Sequence, residues 1–157
     1  MTEIRFAPEQ IVAALNGGGV AYVIVGGIAV AAHGVVRATR DVDLVPEPST
    51  ANLQRLAATL GALGAEHPFD GPLTGSSLAR PISFKLNTRH GEVQVLNRMP
   101  AVPPFAQLRA AAISVDVGDG TVATVCSLTD LRVMKLASGR PRDLVDVAEL
   151  DELHRLE

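Results

Sequence analysis

Tryptophan is absent and tyrosine occurs once beside four phenylalanines, so aromatics make up 3% of the 157 residues. This composition argues against a surface that grips unpaired bases by stacking them on aromatic rings. Cysteine is nearly absent too. Cys126 stands alone, which rules out an intramolecular disulfide and a cysteine-based zinc site; in the run 121–127 it reads as a small buried hydrophobe. No apolar run approaches the roughly 20 residues that cross a bilayer, and the N-terminus lacks a basic segment leading into an apolar one. A cytoplasmic protein is expected. An excess of positive charge is also missing: the formal net charge is −3, against a protein whose whole surface binds nucleic acid, though not against a local basic groove.

What is present is a 47% hydrophobic chain dominated by small aliphatics, long enough for one domain with a core of its own. We therefore expect a single domain over 1–157, with helical segments closing it from about residue 128. All but two of the 14 basic residues are arginine, the exceptions being Lys85 and Lys135. Arginine suits planar, bidentate phosphate contacts, although a bias this general is also what genome composition alone produces.

The order of elements follows from punctuation and periodicity. Pro8 suits the first turn of a helix that the glycines at 17–19 stop. Residues 20–25 read as a β-branched strand, 28–32 as a short helix and 42–45 as the next strand. Ser49 or Thr50 can cap a helix whose Leu53, Leu56, Leu60 and Leu63 share one stripe. The span 65–81 has no period and reads as a long loop, of a length that is often functional. Hairpins are expected from 82–86 with 92–96 and from 113–117 with 121–125, the latter around Gly118-Asp119-Gly120. Pro103-Pro104 leads another helix, Ser127 or Thr129 caps the next, and Pro141 opens one running to the chain end. This order predicts an α+β fold: a mixed β-sheet with helices packed mainly on one face.

The chemistry concentrates in Gly26-Gly27 and, after thirteen intervening residues, Asp41-Val42-Asp43. Residues i and i+2 of a strand share a face, so the strand would open with two carboxylates side by side. At about 5 Å and an effective dielectric near 20 they repel by about 3 kcal/mol, a load that a divalent cation relieves. Carboxylate oxygens suit Mg²⁺. The glycine pair fits neither G-x-G-x-x-G nor a Walker A loop; its value is position, since a helix starting at Gly27 or Ile28 offers free backbone N–H groups to an anion. A solvated strand edge carrying acids against aggregation is the plainer alternative for Asp41 and Asp43. His33, His67, His90 and His154 lack metal-ligand spacing and are read as non-catalytic, and Ser76 and Ser77 have no base nearby in sequence.

The run GGIAVAAHGVVRATRDVDL resembles the signature of the minimal nucleotidyltransferase fold, and GEVQVLNRMP and SLTDLRVMKLASGRPRDLVDVAEL extend the likeness toward the branch containing nucleotidyltransferase toxins of toxin–antitoxin and abortive-infection systems. The resemblance implies a nucleotidyltransferase-like fold and Mg²⁺-dependent transfer of a nucleoside monophosphate from an NTP to a hydroxyl acceptor. It favours a tRNA 3′ end, or another RNA, as acceptor and a cognate antitoxin protein as partner. It further implies that Asp41 and Asp43 bind the metal and that Gly26 and Gly27 face the phosphates. Arg37 and Arg40 would form the basic flank, Lys135 and Arg140 would approach the nucleotide, and Asp143 would hold a basic side chain in place. A third acidic residue is implied on a neighbouring strand, where this chain has Gln94. An amide ligates a metal through oxygen but takes no proton at neutral pH. Glu92 is the substitute in sequence, two residues and about 6.6 Å earlier on the same face. A catalytically degenerate relative that binds nucleotide or a partner without turnover is the alternative.

Overall fold

A computed structural model describes residues 5–68 and 70–155. In chain order its elements are α1 (Pro8–Gly17), β1 (Tyr22–Val25), α2 (Gly26–Ala32), β2 (Asp41–Pro46), α3 (Thr50–Ala62), α4 (Gly75–Leu78), β3 (Ser83–Thr88), β4 (Gly91–Leu96), α5 (Phe105–Ala111), β5 (Ile113–Asp116), β6 (Val122–Val125), α6 (Leu128–Ser138) and α7 (Pro141–Arg155). Whether the final helix reaches the chain end lies outside the described residues.

The strands form one mixed sheet in the order β3-β4-β2-β1-β6-β5. β2 runs antiparallel to β1 and parallel to β4, whereas β1 and β6 are parallel and the β3–β4 and β5–β6 hairpins antiparallel. This is the mixed α+β architecture the element order implies.

Register sorts the side chains into two rows. Leu44 lies between Ile24 and Val95, and Val95 meets Phe84 on the outer strand. Val42, Val93 and Leu86 form a parallel row one pleat away. All of these are buried, in one core with Leu53, Leu56 and Leu60 of α3. The same register places Asp43, Gln94 and Lys85 in a row, and Asp41 beside Glu92. Because successive residues alternate faces, this polar row lies on the opposite side of the sheet. β3 states the contrast plainly, its side chains alternating exposed and buried along its whole length.

Local chemistry sets the element ends. Ser49 caps α3 by accepting the Asn52 N–H, and Ser127, rather than Thr129, caps α6 by accepting the Asp130 N–H. Gly139 ends α6 at φ +63°, the left-handed conformation that frees the chain to turn into Pro141. The span expected to be a plain loop contains α4. Thr74 and Ser77 close a reciprocal capping box there, supplying partners for first-turn N–H groups that a four-residue helix otherwise leaves to water. The first strand starts at Tyr22 rather than at residue 20, because the Ala21 backbone is already engaged. Its N–H donates to Asn52 Oδ1 at 2.8 Å and its carbonyl accepts from Asn52 Nδ2 at 2.9 Å.

Asn52 is fully buried and also donates to the Glu47 carbonyl at 2.7 Å. One side chain thus ties α3 to the start of β1 and the end of β2. Removing it takes a partner from the Ala21 N–H, the Ala21 carbonyl and the Glu47 carbonyl, each lost bond costing about 1 kcal/mol. Asn52→Ala should therefore lower stability by about 3 kcal/mol in urea unfolding; a loss under about 1 kcal/mol would contradict the role assigned to it.

Candidate active site

β2 emerges from the segment 33–40 with Asp41 and Asp43 on the polar face and Val42 and Leu44 in the core. Val25, the last residue of β1, is the register partner of Asp43, so the chain turns into α2 directly beside that carboxylate. Gly26 makes the turn at φ +71°, and a Cβ built there would lie 2.0 Å from Asp43 Oδ2. No residue with a side chain fits, either sterically or by backbone conformation. The turn backbone and the carboxylate are consequently packed face to face.

Asp43 is half-buried, and its Oδ1 is buried with no hydrogen-bond partner. Burial is the main cause that raises its pKa, to about 6; Asp41 and Glu92 push the same way, while Lys135 and Lys85 pull back. A desolvated carboxylate oxygen without a donor, beside a second carboxylate, is an oxygen ligand set short of positive charge. That chemistry fits a hard divalent cation. Among the described residues no group of three or more His, Cys, Asp or Glu side chains assembles to hold a metal, so the acidic cluster is a pair. Glu92 stands beside Asp41 in register without completing a third position.

Facing the pair are α6 and α7. Lys135 is buried on α6, with Nζ 2.9 Å from Asp143 Oδ1 and 3.0 Å from Asp146 Oδ2. Asp143 also accepts from Ser138 Oγ and, at 2.7 Å, from Arg140 Nε. Burial raises the pKa of Asp143, but bonds from Ser138, Lys135 and Arg140 outweigh it and hold the group at about 2. Arg37, arriving from the segment before β2, bonds Asp146. Arg37, Asp146, Lys135, Asp143 and Arg140 thus form one ionic chain joining the lead-in to β2 with both C-terminal helices.

Between the acidic pair and this chain lies a cleft of about 450 Å³, its wall carrying six basic side chains (Arg37, Arg40, Lys85, Lys135, Arg140, Arg142) against three acidic ones. In a protein of net charge −3 that local surplus selects for an anion. A second recess of about 200 Å³ shares Asp43, Gln94 and Lys135 with the cleft and continues among Val25, Leu96, Val102, Leu131 and Met134.

Gly26, Gly27, Asp41, Asp43, Gln94, Arg37, Arg40, Lys135, Arg140 and Asp143 all line the cleft; Glu92 does not. Arg37 is engaged by Asp146, whereas Arg40 is exposed. Sequence reading missed Asp146, Ser138, Arg142 and Lys85. Asp146 carried a signal in its spacing from Asp143, since i and i+3 share a helix face. Of the histidines, His33 Nε2 lies 2.8 Å from the Cys126 carbonyl and His154 Nε2 2.7 Å from the His33 carbonyl. No histidine lines the cleft. Burial pushes the Cys126 thiol up to about 12, which leaves it inert.

The family described as nucleotidyltransferase of unknown function (DUF6036) matches residues 9–157. The chain belongs to that family. Similar solved structures include an antigenic nucleotidyltransferase-like protein from Paracoccidioides brasiliensis, with 20% identity, 92% of this chain and 73% of that one covered, and a TM-score of 0.63. Another is a lincosamide antibiotic adenylyltransferase solved with lincomycin bound, with 15% identity, 95% and 98% coverage and a TM-score of 0.60. At such identities the likeness is one of fold, and the fold is that of the nucleotidyltransferases. No protein of curated function matches the sequence. Among the described residues no helix of this nucleotidyltransferase is long and apolar enough to cross a membrane.

The raised pKa of Asp43 carries a stability cost with a definite sign. A carboxyl whose folded pKa, about 6, exceeds its unfolded value costs nothing below about pH 4, and the cost grows as pH rises to 6, reaching at most about 3 kcal/mol. In chelator-treated protein, Asp43→Asn should therefore be the more stable variant at pH 7.5 and lose that advantage on acidification toward pH 4.5, measured by thermal or urea unfolding. An advantage independent of pH would contradict the assignment.

Proposed function

We propose that this nucleotidyltransferase moves a nucleoside monophosphate from an NTP to a hydroxyl acceptor, using Mg²⁺ held by Asp41 and Asp43. The observation that carries the reading is the unpartnered, buried Asp43 oxygen, set beside Asp41 and pressed against the Gly26 turn. Mg²⁺ bound there would neutralise charge on the attacking and leaving oxygens. The residues of the chain do the rest. First-turn amides of α2 have no acceptor within the helix, and with Gly26 and Gly27 lining the cleft they would be donors for the triphosphate. Lys135 is fixed by two carboxylates, so its charge is presented to the phosphates without the entropy of ordering a free side chain. Arg40, Arg140 and Arg142 are exposed at the cleft and suit the departing pyrophosphate.

In the reaction the acceptor oxygen bonds to the α-phosphorus while the bond from that phosphorus to the β-phosphate bridging oxygen breaks; pyrophosphate leaves and the acceptor proton passes to water. In-line positioning accounts for most of such catalysis. The acceptor favoured by the sequence resemblance is a tRNA 3′ end or another RNA. The toxin-like branch, with a cognate antitoxin as partner, belongs to the same resemblance.

Gln94 supports a second reading. It is the register partner of Asp43 on β4, where the resemblance implies a third carboxylate, and an amide accepts no proton at neutral pH. A relative that binds nucleotide without turnover would carry such a residue.

Incubation with each labelled NTP, Mg²⁺ and total RNA separates the two. Transfer by the wild type, reduced about 100-fold or more in Asp41→Asn and Asp43→Asn, is the expected result. No incorporation from any of the four nucleotides would contradict active transfer; gain of transfer in Gln94→Asp would then identify the third carboxylate as the missing part.

A further inference from the structure

We infer that a second copy of this chain docks on the outer face of α7, the two α7 helices antiparallel about a two-fold axis and Arg142 of each copy against Glu149 of the other. The inference does not depend on the transfer reading above. α7 buries Asp143, Asp146, Val147 and Leu150. Its other side carries Leu144 and Val145, each roughly half-exposed, with Ala148 exposed beside them. Neighbouring α6 adds Val133 and Leu136, exposed to the same degree. The two helices share this outer surface. Arg132 of α6 is bonded to Asp151 of α7 at 2.6 and 2.9 Å, in a pair that stays partly exposed. Leu136 lies one turn past Arg132 and Leu144 two turns before Asp151, so both sit on the side of their helix that carries this pair. The exposed aliphatic side chains of α6 and α7 therefore form a patch, and contiguous apolar surface of this kind marks a site of association.

Charge selects the occupant. Arg142 and Glu149 are both exposed and stand two turns apart on one side of α7, with Val145 between them. Among the described residues neither takes part in an ion pair. Within one copy they are too far apart along the helix to meet, so each flanks the apolar centre without a partner. An antiparallel α7 from a second copy supplies both partners at once. Setting Val145 against Ala148 of the second copy puts the axis between them, and Arg142 and Glu149 then flank the seam opposite each other. The two-fold makes every such contact twice. A parallel pairing would instead set like charges side by side. Arg142 also lines the cleft. A guanidinium has five donors in a planar fork, so one edge can take the carboxylate while the other stays turned to the cleft. Glu149 of the second copy would thereby stand at the border of the site.

Sedimentation velocity and light scattering over a concentration series test this without nucleotide or metal, so the result stands apart from the transfer reading. The mass should rise from 16.4 kDa toward twice that value. A seam of this size is small among stable interfaces, and a dissociation constant of about 1–100 µM is expected. Val145→Glu at the seam should weaken association about tenfold or more, as should Ala148→Glu, a second seam variant. Arg142→Glu and Glu149→Arg should each do the same, since either one sets like charges together at both ends of the seam. Combining Arg142→Glu with Glu149→Arg should restore wild-type association to within about threefold. Val122→Glu, exposed on β6, should leave it unchanged. Circular dichroism and urea unfolding check that each variant is folded. A wild type that stays monomeric to about 500 µM would overturn the inference. So would dimers that folded Val145→Glu and Ala148→Glu leave intact, because the interface would then lie elsewhere. Failure of the double variant to recover what the single charge reversals lose would overturn the antiparallel register.

Discussion

The site depends on a steric fit between backbone and acid. The register Val25–Asp43 brings the end of β1 against the second carboxylate of β2, and only a residue without Cβ, at positive φ, can turn there. That contact sets the start of α2 and shields one side of Asp43 from water. It leaves one carboxylate oxygen buried without a donor. An unpaired buried acceptor is costly, and the fold tolerates it at one place only in this row, beside another acid. Such local strain is characteristic of functional sites.

The opposite wall is set by charge. A buried lysine between two carboxylates is no great source of stability, since desolvation consumes most of the Coulombic gain. Its effect is to fix position. Because Arg37 joins the same acids from the segment leading into β2, the two C-terminal helices are referenced to the strand that carries Asp41 and Asp43. The cleft width is therefore determined by an ionic chain rather than by a loop. That suits transfer chemistry, in which displacements of about 1 Å cost orders of magnitude in rate.

The parts of this arrangement that were legible in sequence are those with local periodicity or local chemistry. Asp41 and Asp43 share a face because strands alternate; Pro8, Ser49, Ser127, Gly139 and Pro141 mark ends because capping is a matter of a few residues. Glu92 and Gln94 follow from the same alternation. Asn52 was invisible, since its partners Ala21 and Glu47 come from two other elements and only the packed structure brings their backbone groups together. Lys85 was invisible as a member of the cleft because its place depends on the order β3-β4-β2, which no local pattern encodes. Arg37 lines the cleft where the resemblance implies a basic flank, but its partner Asp146, a residue 109 positions away, could not be read from sequence. The short α4 escaped notice because four residues are too few to show a helical period.

On the proposed reading, the Asp41–Asp43 pair and the Gly26–Gly27 turn would together hold a divalent cation and a triphosphate. The most direct measurement is a crystal structure with Mn²⁺ and a non-hydrolysable NTP analogue, read from the anomalous signal of the metal. A metal peak at the carboxylates of Asp41 and Asp43, with the triphosphate between the α2 turn and Lys135, is the expected result. A nucleotide bound elsewhere, or bound here with no metal at the pair, would contradict it.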